Sequence, residues 1–146
     1  MHLDHVGVAT DDAAELAALF ADLFDTEIAH EEQFDGMHVV FLDVGGGSDE
    51  PTDDGATDAE ESDGPYLELL EPKSDDGAVA RFLDREGPGL HHVALAVDDV
   101  ADALTTAEGM GLDTVDDEPR PGAWGHEVAF LHPGSTGGVL VEFVAH

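Results

Sequence analysis

Apolar and polar side chains alternate along two similar stretches of the chain, LDHVGVA (Leu3–Ala9) and LHHVALAV (Leu90–Val97). This period of two predicts a β-strand in each. The larger residues of one face, which we expect to pack on helices, are Val6, Val8, Val93, Leu95 and Val97. The other face carries His5 or His92, each beside glycine or alanine only. The pattern therefore leaves space for a ligand next to each imidazole.

A helical pattern follows each opening strand. Thr10, Asp11 and Asp12 before the first segment, and Asp98 and Asp99 before the second, are typical of helix N-caps. The apolar residues that then recur at helical spacing, and that we predict to be core, are Leu16, Leu19, Phe20 and Leu23 in the first segment and Val100, Leu104 and Ala107 in the second. A third helical segment, residues 78–85, is predicted to join the two halves.

Extended runs at 38–44 and 126–132 come next, and each half closes on an apolar strand, YLELLEP (66–72) or GVLVEFVAH (138–146). The order β, α and three strands thus occurs twice. We predict an α+β fold of two βαβββ modules, at about 1–75 and 88–146. The length of 146 residues favours one domain, 1–146.

The duplication brings chemically useful residues into register. His5 and His92 are separated by the same 87 positions as the two opening strands, and Glu68 and Glu142 occupy matching places in the closing strands. A carboxylate inside an apolar strand is costly unless a charge compensates it. Two histidines and two glutamates related in this way predict a divalent metal site. His91 is predicted to be a surface residue or a residue that supports a ligand without binding the metal, because strand alternation places it on the face opposite to His92.

The composition restricts the class of protein. Without cysteine, a metal can be held only by imidazole and carboxylate groups. No apolar run reaches the ~18 residues of a membrane span, and the strand pattern begins too early for a signal peptide. We therefore expect a soluble, cytoplasmic protein with no membrane partner.

The net charge is −31, from 35 acidic and 4 basic residues. Such self-repulsion is screened at molar salt, so the composition favours a halophilic cytoplasm over a surface for a basic partner. Nucleic acid is excluded as a partner because no basic stripe exists. Eight of the acids lie in an insertion of the first half, at 46–64, which has no large apolar residue and is predicted to be a solvated loop.

Several motifs together resemble methylmalonyl-CoA epimerases of the vicinal oxygen chelate (glyoxalase-like) superfamily. They are LDHVGVA, YLELLEP, GPGLHHVALAVDD, DEPRPGA and VAFLHPGSTGGVLVEF, in that order. The resemblance implies a half-open barrel around the metal, a homodimer and an acyl-CoA substrate. It also implies that His5, Glu68, His92 and Glu142 are the metal ligands. The metal itself is not identified, since cobalt, manganese, nickel, zinc and iron all accept these donors.

The implied reaction removes the proton at carbon 2 of (2R)- or (2S)-methylmalonyl-CoA, through a metal-stabilised enolate, and returns it to the other face. Glu142 is the implied acid/base group. The second group stays open: some members carry Glu where this chain has Val39, and His38, Glu127, Glu68 or a metal-bound water are the alternatives. Coenzyme A would meet few cations, which are Lys73, Arg81, Arg85 and Arg120. Trp124 is expected either over the acyl or pantetheine chain or packed on its own module.

Other functions share the scaffold. A glyoxalase I-type lyase or isomerase would use the same four ligands. A metal-free small-molecule binding or resistance protein is disfavoured because all four ligand positions are intact. A ring-cleaving dioxygenase is disfavoured because ferrous iron in such enzymes has two histidines and one carboxylate, whereas this chain offers a fourth ligand.

Overall fold

The computed structural model describes residues 1–45 and 64–146, which form one eight-stranded sheet and three α-helices. The strands are β1 (His2–Ala9), β2 (Ile28–Phe34), β3 (Met37–Asp43), β4 (Tyr66–Pro72), β5 (Gly89–Ala96), β6 (Arg120–Pro121), β7 (Glu127–Leu131) and β8 (Val141–Ala145), and the helices are α1 (Ala13–Phe24), α2 (Ala78–Glu86) and α3 (Val100–Gly109). None of the helices in these ranges combines the length and apolar character needed to cross a bilayer.

The strand order is β2-β3-β4-β1-β5-β8-β7-β6, so the second half repeats the first about the central pair. β1 and β5 pair antiparallel, and each pairs on its outer side with the parallel Glu-bearing strand of its own half, β4 or β8. The sheet curls into a half-barrel. The predicted α+β fold with a glyoxalase-like half-open barrel is confirmed.

Helix α1 begins where predicted, since the Asp12 carboxylate accepts a hydrogen bond from the Glu15 amide (3.0 Å). Its buried face is narrower than predicted. Ala13 and Ala17 are the residues of α1 that are fully buried, whereas Leu19 and Leu23 are 57% and 65% exposed. The prediction of core positions for these two leucines is wrong: the small alanines let the helix lie close to the sheet, and both leucines fall to one side of that contact.

The second half follows its prediction more closely. Asp99 caps α3 by accepting from the Asp102 amide (2.9 Å). The three predicted core residues, Val100, Leu104 and Ala107, are buried. Helix α1 packs mainly on β3 and β4, and helix α3 packs mainly on β7 and β8. The central pair β1 and β5 was expected to meet the helices through Val6, Val8, Val93, Leu95 and Val97. Val8 packs against the α1 cluster and Val97 against the α3 cluster, whereas Val6, Val93 and Leu95 belong to neither cluster, so the expectation holds for two of the five residues.

The acidic insertion predicted at 46–64 lies, apart from Gly64, outside the described residues. On either side of the insertion, Asp43 of β3 pairs with Tyr66 of β4, and the Val44 amide donates to the Pro65 carbonyl (3.0 Å). The two ends are therefore close enough for a short connection.

This closeness permits a test of the salt prediction. Lowering the salt from about 1 M to about 0.01 M lengthens the Debye length from ~3 Å to ~30 Å, so repulsion should lower the melting temperature. Deleting residues 48–63 removes eight negative charges and leaves a short glycine turn. We expect an active protein with a weaker salt requirement, measured by thermal unfolding and by activity across salt concentrations.

A matched variant keeps the length of 48–63 but replaces its acids with Asn and Gln. It should behave like the deletion if charge is the cause. Loss of activity at every salt concentration in both variants would instead give the segment a structural or catalytic role.

Candidate metal centre

The four residues predicted as one site come from the four central strands. His5 lies on β1, Glu68 on β4, His92 on β5 and Glu142 on β8. Strand parity explains their convergence: the neighbours of Glu68 and Glu142 on the opposite face pack against α1 and α3, so both carboxylates face the concave side. All four side chains are buried.

On each side of the site, the strand register places a small residue between one glutamate and one histidine. Gly7 lies opposite both Glu68 and His92, and its repeat counterpart Ala94 lies opposite both His5 and Glu142. A Cβ atom on Gly7 would stand 2.1 Å from Cε1 of His92. The space that Gly7 leaves is therefore filled by the His92 ring.

The donor atoms form a compact group. Nε2 of His5 and Nε2 of His92 lie 3.1 Å apart, and each is 3.0–3.2 Å from Oε1 of Glu68 and Oε1 of Glu142. All four donors lie within 4.8 Å of one another. Ligand distances of about 2.0–2.2 Å around one ion give adjacent donors separated by about 3 Å. The group has the composition and spacing of a divalent metal site.

Glu142 carries the clearest sign that the protein groups alone do not satisfy the site. Its Oε1 is buried and is 3.0 and 3.1 Å from the two imidazole nitrogens, yet among the described residues it finds no hydrogen-bond partner with suitable geometry. The two imidazole nitrogens offset its charge, but neither meets Oε1 with hydrogen-bond geometry, and the lack of such a bond is costly for a buried carboxylate oxygen. A cation placed among the four donors would satisfy it.

The four groups also shift one another's protonation. Burial opposes a charge on His92, but the carboxylates of Glu142 and Glu68 outweigh it and raise the pKa of His92 to about 9. The pKa of His5 is likewise raised well above its usual value, since the Glu68 charge and the Asp4 hydrogen bond overcome burial. The two imidazoles hold the pKa values of Glu68 and Glu142 below their usual range despite burial. Without metal, the raised pKa values favour protonated imidazoles beside the two carboxylates at neutral pH.

Metal uptake should therefore release protons. A metal displaces the protons of His5 and His92, about two per ion, and affinity should keep rising with pH until at least about 9, the raised pKa of His92. The stability of the metal-free protein should depend on pH in the opposite direction. The raised histidine pKa values stabilise the fold at low and neutral pH, and this contribution disappears as pH rises through about 9. Calorimetry in buffers of different ionisation enthalpy measures the released protons. Uptake without proton release, and independent of pH, would contradict this charge assignment.

Two further residues contact the histidines. Asp4, which sequence reasoning missed, is buried, and its Oδ2 lies 2.7 Å from Nδ1 of His5. Nδ1 of His91 lies 2.9 Å from Nδ1 of His92. The prediction that His91 faces away from His92 is wrong. The β1–β5 register shifts between Val8–Leu90 and Gly7–His92, so His91 sits in a β-bulge, and a bulge re-aims its side chain.

A cavity of about 300 Å³ opens beside the four-residue group. Glu68, His92 and Glu142 line its inner end, and side chains of both halves line the rest. Of the four Lys and Arg residues, all within the described ranges, Arg120 is the one that lines the cavity. Its guanidinium is 2.9 Å from the Asp116 carboxylate and stands 5.3 Å from the centre of the Phe130 ring. The cavity therefore combines apolar walls with one cation and a carboxylate-rich end.

Trp124 packs on residues of both halves. Its ring stacks on His30 of β2 (4.6 Å between centres) and lies 5.0 Å from the Phe41 ring of β3. Its amide donates to Oε1 of Glu32 (2.9 Å). Trp124 is not among the residues that line the described cavity, and its ring also stacks on that of His126 in its own half (5.5 Å between centres), so the expected packing on its own module is confirmed in part. It ties the two halves together.

The candidates for a second acid/base group differ in position. Val39 is fully buried and lines the cavity, where it offers no proton. His38 pairs with Glu31 (2.6 Å), and Glu127 is exposed; neither lines the cavity. Among these four side chains, Glu68 alone brings a titratable group to the cavity.

Fold and site together define the class of protein. The sequence profile of the Glyoxalase/Bleomycin resistance protein/Dioxygenase superfamily matches residues 4–130. The chain belongs to this superfamily.

Within it, the chain is similar to methylmalonyl-CoA epimerases. The mitochondrial methylmalonyl-CoA epimerase of Dictyostelium discoideum is 30% identical over 143 residues, which cover 96% of this chain and 75% of that protein. A single-residue variant of the Streptomyces coelicolor methylmalonyl-CoA epimerase, in complex with 2-nitronate-propionyl-CoA, is 31% identical, with a TM-score of 0.83 and coverage of 99% and 94%. A methylmalonyl-CoA epimerase in complex with methylmalonyl-CoA and NH4+ is 32% identical, with a TM-score of 0.83 and coverage of 99% and 93%. The resemblance expected from the sequence motifs is confirmed.

Proposed function

We propose that the protein is a metal-dependent epimerase that interconverts (2R)- and (2S)-methylmalonyl-CoA. The observation that carries this proposal is the buried group of two imidazoles and two carboxylates, with an unsatisfied Glu142 oxygen, at the inner end of a cavity. The similarity to epimerases over nearly the whole chain supports the substrate class.

The donor set fits a divalent ion. His5 and His92 would supply nitrogen, and Glu68 and Glu142 would supply oxygen, with donor spacings of 3.0–3.2 Å already in place. A bound ion would contribute positive charge that stabilises negative charge developing on a substrate carbonyl oxygen. Two carboxylates offset the charge of a divalent ion, so a loaded site would be close to neutral apart from its substrate.

Glu142 is the residue we assign to proton transfer. Its carboxylate is both in the four-residue group and at the cavity wall, where the carbon-2 proton of a bound acyl group would lie. Inversion requires protonation from the opposite face as well. Of the side chains weighed for that second step, Glu68 is the one with a titratable group at the cavity.

The cavity walls would hold the acyl group and part of the thioester arm. Apolar residues of both halves line it, including Val39, Val128 and Phe130. Arg120 at the wall would offset substrate carboxylate or phosphate charge in an otherwise acidic protein.

A two-substrate assay tests this function against the glyoxalase-type alternative, which would use the same four donors. The metal-loaded protein, in high salt, is given one epimer of methylmalonyl-CoA or a hemithioacetal. The expected result is epimerisation of methylmalonyl-CoA without turnover of the hemithioacetal. Turnover of the hemithioacetal alone would overturn the proposal. A protein that is purified without metal, and that binds small molecules without converting them, would favour the binding-protein function.

A further inference from the structure

Asp4 and His91 occupy equivalent places in the two halves. They are separated by the same 87 positions as His5 and His92, and each directly precedes one of those histidines. The strand register gives both the same role. Asp4 falls where the pairing shifts between Leu3–Leu95 and His5–Ala94, and His91 where it shifts between Gly7–His92 and Val8–Leu90. Both are therefore bulge residues, related by the duplication.

Each bulge turns the side chain onto the histidine that follows. Oδ2 of Asp4 is 2.7 Å from Nδ1 of His5, and Nδ1 of His91 is 2.9 Å from Nδ1 of His92. In both histidines Nδ1 is thereby occupied, and Nε2 faces the four-residue group. Regular strand alternation would have placed Asp4 and His91 on the opposite face. The bulges are what bring them to the site side.

We propose that Asp4 and His91 are positioning residues, each of which holds the Nδ1–H of the next histidine so that its Nε2 is free to bind metal. This inference rests on the proposed metal site. A neutral imidazole carries one proton on one of two nitrogens, and a hydrogen bond to Nδ1–H selects the form whose Nε2 lone pair is available. The same bond fixes the ring about its Cβ–Cγ axis, which sets the direction of Nε2.

The two acceptors differ in strength. Asp4 is a buried carboxylate, and an unpaired charge in that place would be costly. Its second oxygen, Oδ1, accepts from Nε2 of His146, so both oxygens are used. His91 offers a neutral imidazole nitrogen, and its ring packs edge-on against Phe82 (5.1 Å). A charged acceptor raises the basicity of the ligand histidine more than a neutral one, so the Asp4 contact should contribute more to metal affinity.

Cobalt titration of the full-length protein in high salt tests the inference. The variants are Asp4→Asn, which keeps an acceptor oxygen but loses the charge, Asp4→Ala, which loses both, and His91→Phe, which keeps a ring beside Phe82 but loses the acceptor. Asp11→Asn and His2→Phe are matched controls, because both residues are exposed and lie outside the site. The readouts are the Co²⁺ dissociation constant from competition with a chelator, the visible Co²⁺ absorption spectrum, and the melting temperature of the metal-free protein.

We expect Co²⁺ affinity to fall ~10-fold in Asp4→Asn and His91→Phe and up to ~100-fold in Asp4→Ala, with a changed absorption spectrum, while both controls bind like the parent. Graded loss in folded variants distinguishes positioning from a merely structural role, which would lower the melting temperature and leave affinity unchanged. Affinities within twofold of the parent in all three variants would overturn the inference while leaving the metal site standing. A parent protein that takes up no Co²⁺ would overturn the inference and the proposed function together.

Discussion

Replacing His92 with alanine is expected to abolish tight divalent-metal binding and turnover while leaving a folded protein in high salt. The change removes one of four donors and the ring that fills the space beside Gly7. In the metal-free variant, Glu68 and Glu142 would face one imidazolium instead of two, so their pKa values should move back toward the usual range. Metal analysis, an assay of turnover and circular dichroism of the purified variant measure the three parts of the expectation.

His2→Ala provides the matched control, since His2 lies on the same sheet but is exposed. It should retain metal and activity. Full stoichiometric metal in His92→Ala would remove the ligand assignment, because the remaining three donors would then suffice without it.

Replacing Glu142 with glutamine should separate metal binding from proton transfer. Gln keeps an oxygen that can coordinate but loses the basic carboxylate, so metal should bind with lower affinity, while exchange of the carbon-2 proton with solvent deuterium falls by ~10² or more. If one group serves both faces, exchange from both epimers falls alike. If a second group serves the other face, one epimer should still exchange its proton without inversion.

The same substitution at Glu68 is the matched comparison, because it removes the equivalent carboxylate from the other half of the site. A loss of exchange confined to one epimer in Glu68→Gln would identify Glu68 as the group on the second face. A Glu142→Gln variant that retains metal and epimerises at the parent rate would exclude Glu142 as the base.

The internal duplication made the centre of the site predictable. Equal spacing paired His5 with His92, and strand parity aimed Glu68 and Glu142 at the concave side; the structure brings all four together. These inferences depend only on regular alternation, which holds in β4 and β8 and along most of β1 and β5. The pattern was visible because the four strands are mostly apolar and their ligand positions recur at matching places in the two halves.

The predictions failed where alternation breaks. The bulges at Asp4 and His91 shift parity by one residue, and a sequence contains no direct mark of a bulge. Asp4 was further hidden by composition, since one acid among 35 carries no signal. Strand β2 (Ile28–Phe34) was not located because its side chains are mostly exposed or half-buried and give no clear apolar face.

Contacts between residues far apart in the sequence also could not be predicted from local sequence patterns. Trp124 could be assigned to a loop, but its contacts with His30 and Phe41 join residues 94 and 83 positions apart, and these contacts depend on how the halves of the sheet close. The exposure of Leu19 and Leu23 has a related cause. The face of a helix that becomes buried depends on the shape of the sheet on which it packs. Here the two small alanines of α1 contact the sheet more closely than the two leucines do.

Deuterium incorporation at carbon 2 of methylmalonyl-CoA is the most direct test of the central claim, that these four residues hold a metal on which an acyl-CoA is epimerised. The protein is stripped with a chelator in high salt, and exchange from one pure epimer is followed by mass spectrometry before and after Co²⁺ is restored. The account predicts exchange that is lost on stripping and returns with about one Co²⁺ per chain, the occupancy expected of a single four-donor site. Exchange at an equal rate in the stripped protein would contradict it.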